Sequence, residues 1–551
     1  MFDFKGLINA LLRKKNEGPV GDLKSATIWV QELPKADIHR ALQEILKALA
    51  KLQLNTTTSL PEHLRVLLYL DEKARSLQNT LCRDYLRCMA EDSKEMRHKL
   101  PTIIHFWDAM ADAYYDLIRA YAKNPVRKLS KQLPLIATKA VHFLAMQAKW
   151  RYLRYMPIET YAWRRMGRLY LFAEREGFQD SLVQLYPGQP DTTCAREYVQ
   201  AMMLHLANPG SLQPEQIDQV DRWLDNWSAS VEIETSFRPH RQNYAINLSD
   251  AKPPRKLRRN MVDEKYRYWG VSLLNLNINH LITQLQEGVS PARLKLGEDC
   301  RLPECMDFLN EISKRWTGES SARKHERVSA EKPQVVVEGL QNIISCILKD
   351  RQSRTPALSK GASMYAEVYL HQKNAVTRKE QTTLPSTGEP ELFESAALKL
   401  TLHNESLGGM GASFISNGED KLRLGSLIAL KKPDNKQYSI GVVRHLSKET
   451  SEQVRIGIQV WTPTPVVVNV FPVQKENGQS KSIKALYLPE YPELQLGRSI
   501  VVPSDIYVPG KQLTIMAQGK SYVIALQQSV AQFKEYTRAG FELVKRSRTP
   551  A

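Results

Sequence analysis

The feature that most constrains this chain is a change of hydrophobic period near residue 317. Before that point apolar residues recur every three or four positions, the spacing of a helix with one buried face; beyond it they alternate every second position, the spacing of a half-buried strand. The stretches 36–52, 102–122 and 158–178 carry the helical pattern most clearly. In the second, Ile103, Ile104, Phe106, Trp107, Met110, Tyr114, Leu117, Ile118 and Tyr121 line one broad face. The third begins after Pro157 and stops near Gly177, as proline and glycine punctuation predicts. Two more helices are predicted over 271–286 and 305–316. No strict repeat emerges, so a bundle and an α-solenoid are both open.

Between about 229 and 262 the helical pattern lapses. Residues 231–235 and 244–248 read as short strands, followed by a basic loop, Lys252-Pro-Pro-Arg255-Lys-Leu-Arg258-Arg259. The polar connector 317–322 marks the main boundary. After it come strand-like runs at 334–338, 427–430, 438–443, 454–460, 466–470, 499–503, 512–516 and 521–526. Hairpin turns are expected at 431–437 and 518–520. The polar stretch 349–396 is read as a loop inserted into the β region, with one strand-like run at 364–370. Leu424-Gly-Ser-Leu-Ile-Ala-Leu faintly resembles Leu496-Gly-Arg-Ser-Ile-Val-Val, a hint of two related barrels.

The predicted fold class is therefore multidomain α+β: an N-terminal all-α bundle or solenoid, then one or more antiparallel β-barrels. Four segments are expected: 1–228 helical, 229–316 mixed, 317–465 a β-barrel with the 349–396 insertion, and 466–551 a further small β domain. A chain of 551 residues is too long for one core, which agrees with several domains.

Charge narrows the partners. A net charge of +18 points to an acidic partner such as nucleic acid, an anionic surface or a phosphorylated small molecule. No run of apolar residues is long enough to span a membrane and no cleavable leader is evident, so a cytoplasmic location is expected. The six cysteines, Cys82, Cys88, Cys194, Cys300, Cys305 and Cys346, show no zinc spacing and are read as reduced and structural.

Two short motifs in the β region carry chemistry. Arg323-Lys-His-Glu-Arg327 precedes the first predicted strand, and Asn404-Glu-Ser406-Leu-Gly-Gly409 precedes the middle ones. The arginine pair is not distinctive by itself. It recurs at Arg83/Arg87, Arg164/Arg168 and Arg255/Arg259, the first two in helical stretches where arginines four apart share an exposed face. The Asn-x-Ser-x-x-Gly run occurs once. With Gly425-Ser-Leu-Ile-Ala-Leu, Gly441-Val-Val-Arg and Ile456-Gly-Ile-Gln-Val behind it, the order of motifs over 318–465 resembles the PilZ domain, a bacterial six-stranded barrel that receives cyclic di-GMP.

That resemblance implies a ligand site. Arg323 and Arg327 would grip phosphates and the guanine O6/N7 edge, because a guanidinium fork matches both. Asn404 would meet the opposite guanine edge, Ser406 would add a hydroxyl bond, and Gly409 would leave room for a base near the backbone. Lys324 and His325 lie inside the arginine loop. Two departures stand out: the long gap from Arg327 to Asn404, and an amide where the family more often has a carboxylate. No nucleophile elbow, zinc-protease helix, phosphate loop or cyclase or phosphodiesterase signature is present, so the reading is a receptor and not an enzyme, with no metal and no cofactor beyond the ligand. The expected function is coupling of cyclic di-GMP binding to an N-terminal helical domain that recruits a protein partner. The alternative is a helical adaptor or nucleic-acid-binding protein with a degenerate barrel.

Overall fold

The computed structural model describes residues 20–34, 36–55, 57–89, 98–319, 326–352, 397–416, 422–431, 438–450, 452–472, 482–517 and 520–548. The chain divides into two compact units, Met1–Ala322 and Arg323–Ala551.

Among the described residues the first unit holds ten α-helices: α1 Leu23–Gln31, α2 Ile38–Leu54, α3 Leu60–Met89, α4 Leu100–Lys123, α5 Leu133–Tyr152, α6 Thr160–Arg175, α7 Cys194–Leu206, α8 Pro214–Trp227, α9 Ser272–Gln286 and α10 Glu304–Thr317. Local chemistry sets their ends. The Asp37 carboxylate accepts the Arg40 N–H (2.9 Å) at the start of α2, Pro101 sits in the first turn of α4, and Gly318 closes α10 with φ 83°. The faces expected from periodicity are the buried ones. In α4, Ile103, Phe106, Trp107, Met110, Tyr114, Leu117 and Ile118 all point into the core.

Helix α5 decides between bundle and solenoid. It is buried along most of its length and is contacted by α4, α6, α7 and α8. A solenoid repeat touches only its neighbours in sequence, so a helix enclosed on several sides belongs to a bundle. Its two buried lysines are matched. Lys139 Nζ meets Asp71 Oδ2 at 2.7 Å, and the same carboxylate accepts the hydroxyls of Tyr114 and Tyr186 at 2.6 Å each. Lys149 lies 2.7 Å from both Asp218 and Asp221. Burial works against its ammonium, but the two carboxylates outweigh that and hold its pKa above the ordinary lysine value.

A three-stranded antiparallel sheet lies within this unit, with β1 (Tyr244–Asn247) between β2 (Arg255–Lys256) and β3 (Tyr266–Trp269). The strand expected at 231–235 does not form. Only Glu234 pairs, in a single bridge to Tyr268 on the free edge of β3, whose other edge is paired with β1. A second expectation is corrected here: Cys300 and Cys305 form a disulfide, with Cα atoms 5.1 Å apart. Cys305 opens α10 and Cys300 lies in the turn that precedes it, so the local geometry brings the two together. No helix among the described residues is long and apolar enough to cross a membrane.

The second unit contains two closed six-stranded barrels. The first comprises β4 Val328–Glu338, β5 Ala397–Ser406, β6 Gly409–Ile415, β7 Leu427–Lys431, β8 Tyr438–Lys448 and β9 Gln453–Thr462. The second comprises β10 Val466–Pro472, β11 Ile483–Leu488, β12 Ser499–Pro503, β13 Gln512–Ala517, β14 Lys520–Gln532 and β15 Tyr536–Arg548. Their strand orders, β4-β5-β6-β9-β8-β7 and β10-β11-β12-β15-β14-β13, follow the same path around the barrel. The likeness between 424–430 and 496–502 nevertheless matches non-equivalent strands, β7 being fourth in its barrel and β12 third. The kinship of the barrels lies in topology and not in that sequence pair.

Helix α11, Leu340–Gln352, joins the two barrels. Leu340, Ile343, Ile344 and Ile347 share one buried cluster with Leu427, Ile440 and Val442 of the first barrel and Val467, Leu486 and Val501 of the second. The expected loop at 349–396 is thus helical in its first residues: the apolar face of Leu340, Ile343, Ile344 and Ile347 anchors α11, and a polar last turn carries it to Gln352. Residues 353–396, including the strand-like run 364–370, lie outside the described residues, as do 432–437 and 518–519 of the two expected hairpin turns. The strands flanking those turns do pair, Lys431 with Tyr438 and Ala517 with Lys520.

Candidate functional site

Strand register brings the two motifs together. β4 runs antiparallel to β5 with Val328 opposite Glu405 and Ser329 opposite Asn404, so Arg327, the residue before β4, arrives at the β5–β6 hairpin. Its Nη1 donates to Asn404 Oδ1 at 2.9 Å across a sequence separation of 77 residues. The long gap noted in the sequence therefore does not separate the motifs in space. Arg323, Lys324 and His325 lie outside the described residues.

Asn404 and Ser406 sit on the last turn of β5, and Gly409 opens β6 after a two-residue connection at 407–408. Ser406 Oγ donates to the Gly409 carbonyl at 3.0 Å, closing the hairpin on itself. At Gly409 a Cβ would stand 2.9 Å from the backbone carbonyl of Ile458 on β9, so packing of the neighbouring strand already requires glycine there. The residue types expected for ligand contact thus also build the platform.

A further residue belongs to the site and was not picked out by its motif. Gly411 lies opposite Asn404 in the β5–β6 ladder, and a Cβ there would fall 2.8 Å from Asn404 Oδ1 and 3.0 Å from Nδ2. The Asn404 amide lies flat over this glycine. The signal available in the sequence was a second glycine two residues after Gly409, hence on the same face of the strand. One residue earlier, His403 bridges Glu331 (2.9 Å from Nδ1) and Ser413 (2.7 Å from Nε2), fixing β5 between β4 and β6.

Met410, Ala412 and Phe414 of β6 and Ile456 and Ile458 of β9 are buried, and by strand alternation Gly409, Gly411, Gly457 and Gln459 lie on the opposite, outer side, where Gly409 is buried and the other three are half-buried. The site is a shallow outer surface of the barrel with an arginine held at its rim. Such a surface can seat a planar base on glycine backbone while guanidinium and amide groups read its edges. The other arginine pairs behave as solvated charges: Arg83, Arg87, Arg164 and Arg168 are all exposed on helix surfaces.

Comparison with known proteins agrees with this architecture. Residues 24–240 match the family model described as the N-terminal domain of the cyclic-di-GMP receptor FimW, 348–465 its middle PilZ domain, and 468–544 its C-terminal β-barrel domain. The chain belongs to the FimW family of PilZ-domain proteins. Over 571 aligned positions it is 20% identical to the cyclic-di-GMP receptor FimW of Pseudomonas aeruginosa, covering 96% of this chain and 91% of that protein. No solved structure matches. Within the FimW frame, Asn404, Ser406 and Gly409 fall inside the middle-domain match, whereas Arg323 and Arg327 fall between the N-terminal and middle matches. Arg327 is brought to Asn404 by strand register and their hydrogen bond, not by the family model.

Proposed function

We propose that this chain is a receptor that binds cyclic di-GMP on the outer face of its first barrel and performs no catalysis on it. The observation that carries the reading is the hydrogen bond from Arg327 to Asn404, which joins the arginine motif to the Asn-x-Ser-x-x-Gly hairpin. In this reading Arg323 and Arg327 clamp phosphates and a guanine Hoogsteen edge, and Asn404 receives the opposite edge. Ser406 holds the turn and adds a hydroxyl, while Gly409 and Gly411 keep the surface flat. Arg327 gives up or shares Asn404 Oδ1 when ligand arrives, so the unliganded contact holds the arginine near its working position.

The helical bundle is the output. Arg323 and Arg327 follow directly on the first unit in the chain, so ligand that orders them against the barrel changes how the bundle presents itself to a protein partner. The degenerate-barrel alternative is not favoured, since the matched family is described as a receptor of this nucleotide.

Calorimetric titration of the full chain with cyclic di-GMP tests the reading. Wild type should bind with measurable heat, and the Arg323→Ala/Arg327→Ala variant should lose on the order of 100-fold or more, the loss of two charge-assisted contacts. Absence of binding by folded wild-type protein contradicts it. X-ray scattering with and without ligand tests the relay separately: an unchanged profile refutes the coupling and leaves the binding intact.

A further inference from the structure

The outward face of the first barrel extends past the motif. Asn404 on β5 lies opposite Gly411 on β6, Gly411 opposite Gly457 on β9, and Gly457 opposite His445 on β8. The two middle positions of this four-strand row carry no side chain. The row beside it runs Ser406, Gly409, Gln459. The Asn404 amide closes over Gly411 from one end of the row, and the His445 Cβ stands 3.0 Å from where a Cβ of Gly457 would lie at the other.

At the far end of that row β8 is irregular. Val443 pairs with Ile458 and His445 with Gly457, so Arg444 is the extra residue of a β-bulge, a device that re-aims a side chain. Arg444 is exposed, and its Nε donates to Gln459 Oε1 at 3.0 Å. Gln459 is the register partner of Gly409. The bulge and the glutamine together draw the guanidinium back over β9. In the closed six-stranded barrel β5 and β8 lie on opposite sides, and it is through Gln459 on β9, the strand next to β6, that the Arg444 side chain is drawn toward the hairpin.

The second barrel backs this arm. The Arg444 guanidinium lies 5.7 Å from the centroid of Phe533, whose ring packs against Gly425 of the first barrel. Nearby, Arg538 is almost wholly buried, with its guanidinium 4.7 Å over Trp461 and its Nε bonded to Ser499 Oγ at 2.9 Å. Burial and then the like charge of Arg444 lower the Arg538 pKa to about 10. The two cations together make this side of the barrel electropositive.

We infer that Arg444, aimed by its bulge and by Gln459 and backed by Phe533, is a third ligand-binding arginine of the cyclic di-GMP site. The inference rests on the receptor reading above. A base seated between the Asn404 amide, which covers Gly411, and the Gln459 side chain has Asn404 toward one edge and the Arg444 fork toward the other. A guanidinium offers donors only, which suits the two acceptors O6 and N7 of guanine. Adenine replaces one acceptor with an N6 amino donor, so Arg444 also discriminates against cyclic di-AMP.

Calorimetry of the full chain with cyclic di-GMP and cyclic di-AMP, on wild type, Arg444→Ala and Arg444→Lys, tests this. Arg444→Ala should weaken cyclic di-GMP binding about 10- to 100-fold and narrow the preference over cyclic di-AMP, with an unchanged thermal midpoint. Arg444→Lys should recover only part of the affinity, because an ammonium has no fork. Wild-type affinity and preference in Arg444→Ala overturn the inference and leave the receptor reading standing. So does a loss of binding matched by a fall in thermal midpoint that Arg444→Lys restores in both, which marks a structural role. Failure of wild type to bind cyclic di-GMP overturns both.

Discussion

The two barrels of the second unit trace the same strand path, yet only the first carries the Asn-x-Ser-x-x-Gly hairpin. In the first, β5 turns into β6 through residues 407–408, and the turn is flanked by Asn404, Ser406, Gly409 and Gly411. At the equivalent place in the second, β11 and β12 are joined by 489–498, which includes a 3-10 turn at Pro492–Leu494. The approaches differ too. Arg327 leads into β4, whereas β10 follows β9 through Pro463, Thr464 and Pro465, with no cation in the connection. One topology thus serves two ends, and the site is a property of the hairpin and its approach and not of the fold. The second barrel contributes instead through what it presses against its neighbour: Tyr536, whose hydroxyl donates to the Gly425 carbonyl at 2.7 Å, Phe533 and Arg538.

Substitutions at glycine sharpen that contrast. The largest effect is expected at Gly409, where a methyl group meets a backbone carbonyl that cannot swing aside. Gly409→Ala should cost about 1–3 kcal/mol of stability, read as a lower denaturant midpoint for the barrel unit. Gly411→Ala meets a side-chain amide, which can move, so folding should survive. The displaced Asn404 should then weaken cyclic di-GMP binding about 3- to 10-fold, the worth of one ordinary hydrogen bond, as measured by calorimetry. Tyr536→Phe leaves the buried Gly425 carbonyl without its hydroxyl donor and should lower stability by about 1–2 kcal/mol while ligand affinity stays within about twofold. The smallest effect is expected at Gly497 of the second barrel, where a Cβ would meet nothing within 4 Å. Gly497→Ala should change both stability and binding by no more than about 0.5 kcal/mol. A loss of binding there comparable with that of Gly411→Ala would break the distinction between the barrels.

Much of this was legible in the sequence, for identifiable reasons. The long helices have one wide apolar face, so their period survives any tertiary detail. Ile103 through Ile118 are buried as spaced. The strand around Val454–Val460 alternates with equal clarity, and the run Val466–Val470 reads as a strand from its β-branched residues. Short elements were less readable. Residues 231–235 alternate like a strand but meet the free edge of β3 at Glu234 alone, and α11 was obscured because its polar last turn, 349–352, reads like the loop that follows. The Cys300–Cys305 bond depends on a turn geometry that spacing does not encode. At the candidate site, motif spacing singled out Asn404, Ser406 and Gly409, but the packing roles of Gly409 and Gly411 come from register, which brings Ile458 and Asn404 against them. Arg444 was hidden for the same reason: its placement arises from a bulge and from Gln459 on the adjacent strand.

Hydrogen exchange of the full chain with and without cyclic di-GMP tests the central claim most directly, since it reports on each barrel in one experiment. Ligand should slow exchange in segments covering 326–329 and 397–416, with a smaller effect at 441–446 and 457–460, and should leave 483–503 unchanged. Protection confined to 483–503, or distributed equally over both barrels, would contradict the assignment of the site to the first barrel alone.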